Sequence, residues 1–168
     1  AMDSSAKEFL EKAIKDYKDD KGNELSRFRA ADYYFMEAVT WGLVTSSYLS
    51  ARYRCSGYVF DIGGMSAFAE KPFFVLGLLN SVYSRNILSI INPTLNYQIG
   101  DIKRIPLPEI CGAEIIDKVV SRLKDLSKTD WDFYETSWDF KTLPLLCPDY
   151  RDQNLGLIYT NLRAHWRS

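Results

Sequence analysis

Residues 71–93 read KPFFVLGLLNSVYSRNILSIINP, and this stretch decides the fold. Pro72 suits the first turn of a helix, where a missing N–H breaks no intrahelical bond. From there Phe73, Phe74, Val75, Leu76, Leu78, Leu79, Val82, Ile87, Leu88, Ile90 and Ile91 place apolar side chains on more than one helical face. A helix of that kind is buried, against a sheet or between other elements. Asn92-Pro93 closes it, because the residue before a proline is pushed out of the helical region.

A buried helix needs a partner layer, and the residues before it supply one. Over residues 39–58, Val39, Thr40, Trp41, Val44, Thr45, Tyr48, Tyr53 and Tyr58 are β-branched or aromatic with no helical period, which predicts strands. Residues 57–64, GYVFDIGG, read as a short strand entering a glycine turn. On the other side of the helix, residues 93–108 are irregular, with a short strand expected at 101–105 and a stop at Pro106 and Pro108. Ile115, Ile116, Val119, Val120, Leu123 and Leu126 then mark an amphipathic helix over residues 113–128. An acidic, aromatic segment at 130–140 follows, then a proline-flanked linker and a last helix near 155–166.

At the other end, Ser5-Ala6-Lys7-Glu8 has the capping-box pattern. Phe9, Leu10, Ala13, Ile14 and Tyr17 continue at helical spacing to about residue 20, before Lys21-Gly22-Asn23 breaks the run. This stripe is expected to pack on the domain that follows. The reading is α+β: a small mixed or antiparallel sheet, one buried helix and peripheral amphipathic helices. Its parts are an N-terminal helix at 1–24, an α+β domain at 25–110, and a helical spacer with the acidic aromatic segment at 111–168.

Hydrophobic residues make up 46% of the 168, enough for a core without disulfides or metal and too many for a disordered chain. The net charge of −1 hides an asymmetry. Residues 25–108 carry 8 Lys and Arg against 5 Asp and Glu, while both flanks are acidic. That permits phosphate contact without demanding it. Cys55, Cys111 and Cys147 are odd in number and widely spaced, which points to a reducing cytoplasm rather than a disulfide framework. No signal pattern or apolar run of roughly 18 residues predicts a membrane span. Ala1-Met2 reads as an expression scar ahead of an internal fragment.

Catalytic constellations are scarce. His165 is the lone histidine, and no Cys/His set has zinc-ligand spacing. Gly63-Gly64 lacks the flanking pattern of a phosphate loop and reads as a turn. Asn92-Pro93-Thr94-Leu95 resembles the base-holding motif of amino-methyltransferases, but its second proline and stacking aromatic are absent. Asp101-Ile102-Lys103 has the acid-x-lysine spacing of metal nucleases and would need a second acid such as Asp61. The cheaper reading is a polar strand whose Lys103 and Arg104 face solvent or phosphate. No catalytic or metal residue is assigned.

One set has a coherent use. Ser46, Ser47, Tyr48, Arg52, Tyr53 and Arg54 lie close in sequence, and Asn96, Tyr97, Gln98, Lys103 and Arg104 follow. Arginine reads guanine or clamps phosphate, and Asn or Gln reads adenine. Solvated arginines and packing tyrosines on a strand would show the same residues, and the residue types alone leave both readings open.

Several longer stretches carry a resemblance: residues 76–81 (LGLLNS), 92–102 (NPTLNYQIGDI), 105–108 (IPLP) and 131–140 (WDFYETSWDF). With residues 40–61 upstream, they closely resemble the BREX adenine-specific DNA methyltransferase family, PglX. More loosely they resemble the target-recognition domains of TaqI-like methyltransferases and type I restriction specificity subunits. The resemblance implies a target-recognition-like region of a phage-defence, restriction-modification type enzyme, lacking catalysis of its own. Double-stranded DNA and the missing methyltransferase domain would be its partners, with other defence proteins as further candidates. S-adenosylmethionine would be bound in the parent enzyme and no cofactor in this region. The resemblance also implies that Asn80 and Ser81 are scaffold, bonded to backbone. A docking or spacer role without DNA contact is the alternative, suggested by the acidic aromatic segment and the amphipathic helices.

Overall fold

The computed structural model describes residues 4–18, 20–23, 30–61, 63–108 and 112–167. The chain divides into two compact units, Ala1–Val120 and Ser121–Ser168. The first holds an antiparallel sheet of three strands, β1 (Ala38–Gly42), β2 (Ala51–Arg54) and β3 (Gly64–Ala67), in the order β2-β1-β3. Two-residue alternation sorts the side chains. Val39 and Trp41 lie opposite Tyr53 and Ala51 on one side and Ala67 and Met65 on the other. These residues form the core face, with Val39, Trp41 and Ala51 buried. Thr40, Arg52, Arg54 and Ser66 belong to the opposite face by the same register.

Among the described residues there are six α-helices: α1 (Ser4–Asp16), α2 (Pro72–Asn80), α3 (Val82–Ile91), α4 (Ile99–Ile102), α5 (Ala113–Asp132) and α6 (Leu155–Arg167). Leu76 and Leu79 of α2 and Leu88 of α3 join the sheet residues in one core. Gly77 is where α5 comes close, since a Cβ there would lie 2.7 Å from Cγ2 of Val120. The expected α+β class, with a small antiparallel sheet and a buried helix, is what the chain adopts.

The structure differs from the sequence reading at several elements. The single helix expected over 71–91 is two helices, bent by 64° at Ser81. Asn80 turns its amide to the sheet, donating from Nδ2 to the carbonyls of Ala51 and Leu76, each at 3.0 Å, and accepting from the Ala51 N–H at 3.0 Å. Ser81 is extended; its hydroxyl donates to the Leu78 carbonyl at 2.6 Å and accepts the Ser84 N–H at 3.2 Å, capping α3. Both residues bond to backbone, as the scaffold reading expects. The bend also leaves part of α3 uncovered, and Val82 and Ile90 are exposed.

The strand expected before the glycine turn lies after it instead. Asp61 Oδ1 accepts the N–H groups of Gly63 and Gly64 at 2.9 and 3.0 Å, so the chain turns first and β3 begins at Gly64. Residues 101–105, expected as a strand, hold the end of α4 and a turn. Asp101 accepts the Gln98 N–H at 3.0 Å and the Asn92 amide at 2.8 Å, closing a helical turn. In α1, Phe9 is exposed, as is Tyr17 just beyond it, rather than packed, and the Ile14 side chain lies outside the described residues.

In the second unit, Leu162 of α6 is buried and Phe133 stacks on Trp166 at 6.4 Å between ring centroids. A groove of about 650 Å3 is lined by Arg122, Asp130, Phe133, Tyr150, His165 and Trp166, among others. Lys128 bridges Asp132 and Asp139, each at 2.6 Å, and α5 runs past the expected end at 128 to Asp132. The pair holds the Asp132 carboxyl below the usual carboxylate range. Trp131 and Trp138 are exposed beside it. No single helix among the described residues is long and apolar enough to cross a membrane.

Candidate nucleic-acid interface

Strand β2 splits its three sequence-selected residues by parity. Tyr53 stands on the core face, its ring 5.3 Å from Phe73, and its hydroxyl donates to Glu37 Oε2 at 2.6 Å. That bond to a carboxylate favours the protonated phenol, and the Tyr53 pKa is pushed up to about 12. Arg52 and Arg54 are on the other face, and the two differ. Arg52 is exposed. The Arg54 guanidinium lies 5.1 Å from the Phe60 ring centroid and donates from Nη1 to Ser66 Oγ at 3.2 Å. Its Nε and Nη2 are buried without a partner, and this burial lowers the pKa of the group. Burying donors that make no bond is costly, so Arg54 is a constrained cation beside a free one.

The connection from β1 to β2 carries Ser46 and Ser47, both exposed. It is fastened to residues 95–97. Val44 bridges Asn96, the Thr45 N–H donates to Leu95 at 2.9 Å, and the Tyr97 N–H donates to Leu43 at 2.9 Å. Beneath it, buried Trp41 donates from Nε1 to the Tyr97 carbonyl at 3.0 Å. The fold therefore brings Asn96 alongside the Ser46-Ser47 loop, although about fifty residues of sequence separate them. Asn92 is the staple of this segment. Its Nδ2 donates to the Asn96 carbonyl at 2.7 Å, and its Oδ1 accepts from the backbone and hydroxyl of Thr94. The Asn-Pro motif thus has a structural use.

Gln98 and Asn96 are exposed, and Lys103 and Arg104 are exposed on the turn after α4, above buried Ile105. None of Arg52, Lys103 and Arg104 has a carboxylate partner within ion-pair distance among the described residues. One further contact was not foreseen. The Arg85 guanidinium on α3 lies 4.0 Å from the centroid of the Tyr48 ring. The signal for it was the polar run Ser84-Arg85-Asn86 inside an otherwise apolar helix.

The glycine turn does not fit a nucleotide-like cofactor. The N–H groups of Gly63 and Gly64 that would cradle an anion are already taken by Asp61. The Asp101 carboxylate is likewise engaged by Gln98 and Asn92. Among the described residues no three His, Cys, Asp or Glu side chains converge as a metal site. What the arrangement offers chemically is a set of exposed donors on a rigid frame.

No family model matches the chain. Two curated proteins do. The adenine-specific methyltransferase PglX of Lacticaseibacillus casei (strain Zhang) is 36% identical over 137 residues, which is 80% of this chain and 10% of that protein. The adenine-specific methyltransferase BrxX of Escherichia coli O9:H4 (strain HS) is 33% identical over 126 residues, 72% of this chain and 10% of that protein. The chain spans about a tenth of the length of the curated relatives it matches. As the counterpart of one segment of those proteins, it belongs to the PglX and BrxX family of adenine-specific methyltransferases.

Proposed function

We propose that this chain is a DNA sequence-recognition segment of an adenine-specific methyltransferase of the phage-defence, restriction-modification type. The single observation carrying the reading is that Arg52, Lys103 and Arg104 are exposed with no carboxylate within ion-pair distance among the described residues. Unpaired cations on a rigid frame suit a polyanion, because neutralising a phosphate releases condensed counterions. Ser46, Ser47, Asn96 and Gln98 are the exposed polar groups proposed to stand at base edges or sugars. Tyr53 and Arg54 are proposed to hold β2 in shape beside them. Methyl transfer, with S-adenosylmethionine as donor and the adenine extruded from the duplex, is assigned to the rest of the parent enzyme.

The test is a salt titration of binding to random duplex DNA, beside the triple variant Arg52→Ala, Lys103→Ala, Arg104→Ala. The reading expects salt-sensitive binding, with the slope of log K against log salt reduced by about 3 in the variant if each cation meets one phosphate. An unchanged slope would remove these residues from the interface.

A second reading, protein docking without DNA contact, draws on a different observation. Ile115 and Val119, one helical turn apart on the part of α5 within the first unit, are both exposed. Exposed apolar patches of this kind serve as protein contacts. Docking predicts no affinity for duplex DNA and little response to salt.

A further inference from the structure

We infer that Tyr48 and Arg85 form a composite DNA contact, in which the stacked guanidinium grips two coplanar acceptors. On duplex DNA such a pair is offered by the oxygens of one phosphate or by O6 and N7 of one guanine. The inference rests on the DNA-recognition reading and adds to it a residue from a helix that otherwise serves the core.

Three observations support it. First, the stack is close, with the Arg85 guanidinium carbon 4.0 Å from the ring centroid, and both residues are exposed. A guanidinium held by its face keeps its in-plane N–H donors for another partner. Arg85 has no carboxylate within ion-pair distance among the described residues. Second, both supports are fixed. Tyr48 is followed by buried Leu49 and then by Ala51, whose backbone is bonded to Asn80. Arg85 stands in the first turns of α3, capped by Ser81, with its own N–H donating to the Ser81 carbonyl at 3.1 Å. The side chain therefore loses less freedom on binding than a solvated arginine would. Third, Tyr48 adjoins exposed Ser46 and Ser47, the loop that the Val44–Asn96 bridge fastens to the second polar segment. The stacked cation thus extends an existing polar surface.

The experiment measures duplex binding of the full 168-residue chain and of Arg85→Ala, Arg85→Lys, Tyr48→Phe, Tyr48→Ala and Arg52→Ala. Arg85→Ala is expected to weaken binding roughly tenfold, in the range of one bidentate contact. Tyr48→Phe should be silent because it keeps the ring. Tyr48→Ala and Arg85→Lys should each show part of the loss, the first by freeing the fork and the second by removing it while keeping the charge. A phosphate partner would make the loss equal on all sequences and reduce the salt slope by about 1. A guanine partner would confine the loss to duplexes containing G·C pairs and vanish on an A·T-only duplex.

If Arg85→Ala binds like the parent chain while Arg52→Ala binds weakly, the composite contact is wrong and the recognition reading stands. If Arg85→Lys binds as well as the parent chain, the fork geometry is wrong. If the unmodified chain shows no salt-sensitive binding to any duplex, both readings fall together.

Discussion

The two units differ in how far their polar side chains reach. In the first, polar side chains do structural work over long sequence distances. Asn80 bonds to a strand 29 residues away, and Trp41 bonds to Tyr97 across 56. Its core runs through the sheet, α2 and α3. In the second, the polar bonds are local, as in the Lys128, Asp132, Ser137 and Asp139 group. Large apolar residues such as Trp131, Trp138 and Leu146 are exposed. The comparison teaches that residue type alone misleads here. An asparagine in the first unit is a beam, and a tryptophan in the second is surface.

The contrast can be tested from its heaviest member down. Leu88→Ala removes a fully buried side chain from the first unit's core and is expected to cost about 2–5 kcal/mol. Urea denaturation followed by tryptophan fluorescence measures it, and a cost below that range would mean the core repacks around the gap. Asn80→Ala deletes three hydrogen bonds and leaves Ala51 unpaired, and about 1–3 kcal/mol is expected. The same substitution at exposed Asn86 of α3 is the control, and equal effects at both would end the idea that Asn80 is special. Trp138→Ser, at a fully exposed ring, should move stability by less than about 0.5 kcal/mol. A larger loss by thermal melting would show that the second unit is better packed than its exposures say.

Much of this was legible in the sequence, and the misses have a common cause. The helical periods of α5 and α6 are local signals, and both helices form close to where the spacing places them. Alternation puts Arg52 and Arg54 on one face, and the same parity sends Tyr53 to the other, although nearness in sequence grouped all three. The break at Ser81 escaped because the bonds made beside it, from Asn80 to Ala51, reach a strand that only the fold brings near. The helical turn at α4 escaped because Asp101 is fixed by Asn92, nine residues earlier. Arg85 escaped because its helix reads as core, and its partner lies in a loop 37 positions upstream. Periodicity reports which way a residue faces along its own element. It is silent about side chains that answer to a different element.

The amide of Asn80 has one more consequence. Strand β2 lies at the border of the sheet, and border strands present open backbone groups that invite another chain to pair with them. At Ala51, where β2 begins, both the donor and the acceptor are already occupied by the Asn80 amide. One side chain stands there in place of a fourth strand. A molecule trying to extend the sheet past Ala51 must first displace the amide that ends α2.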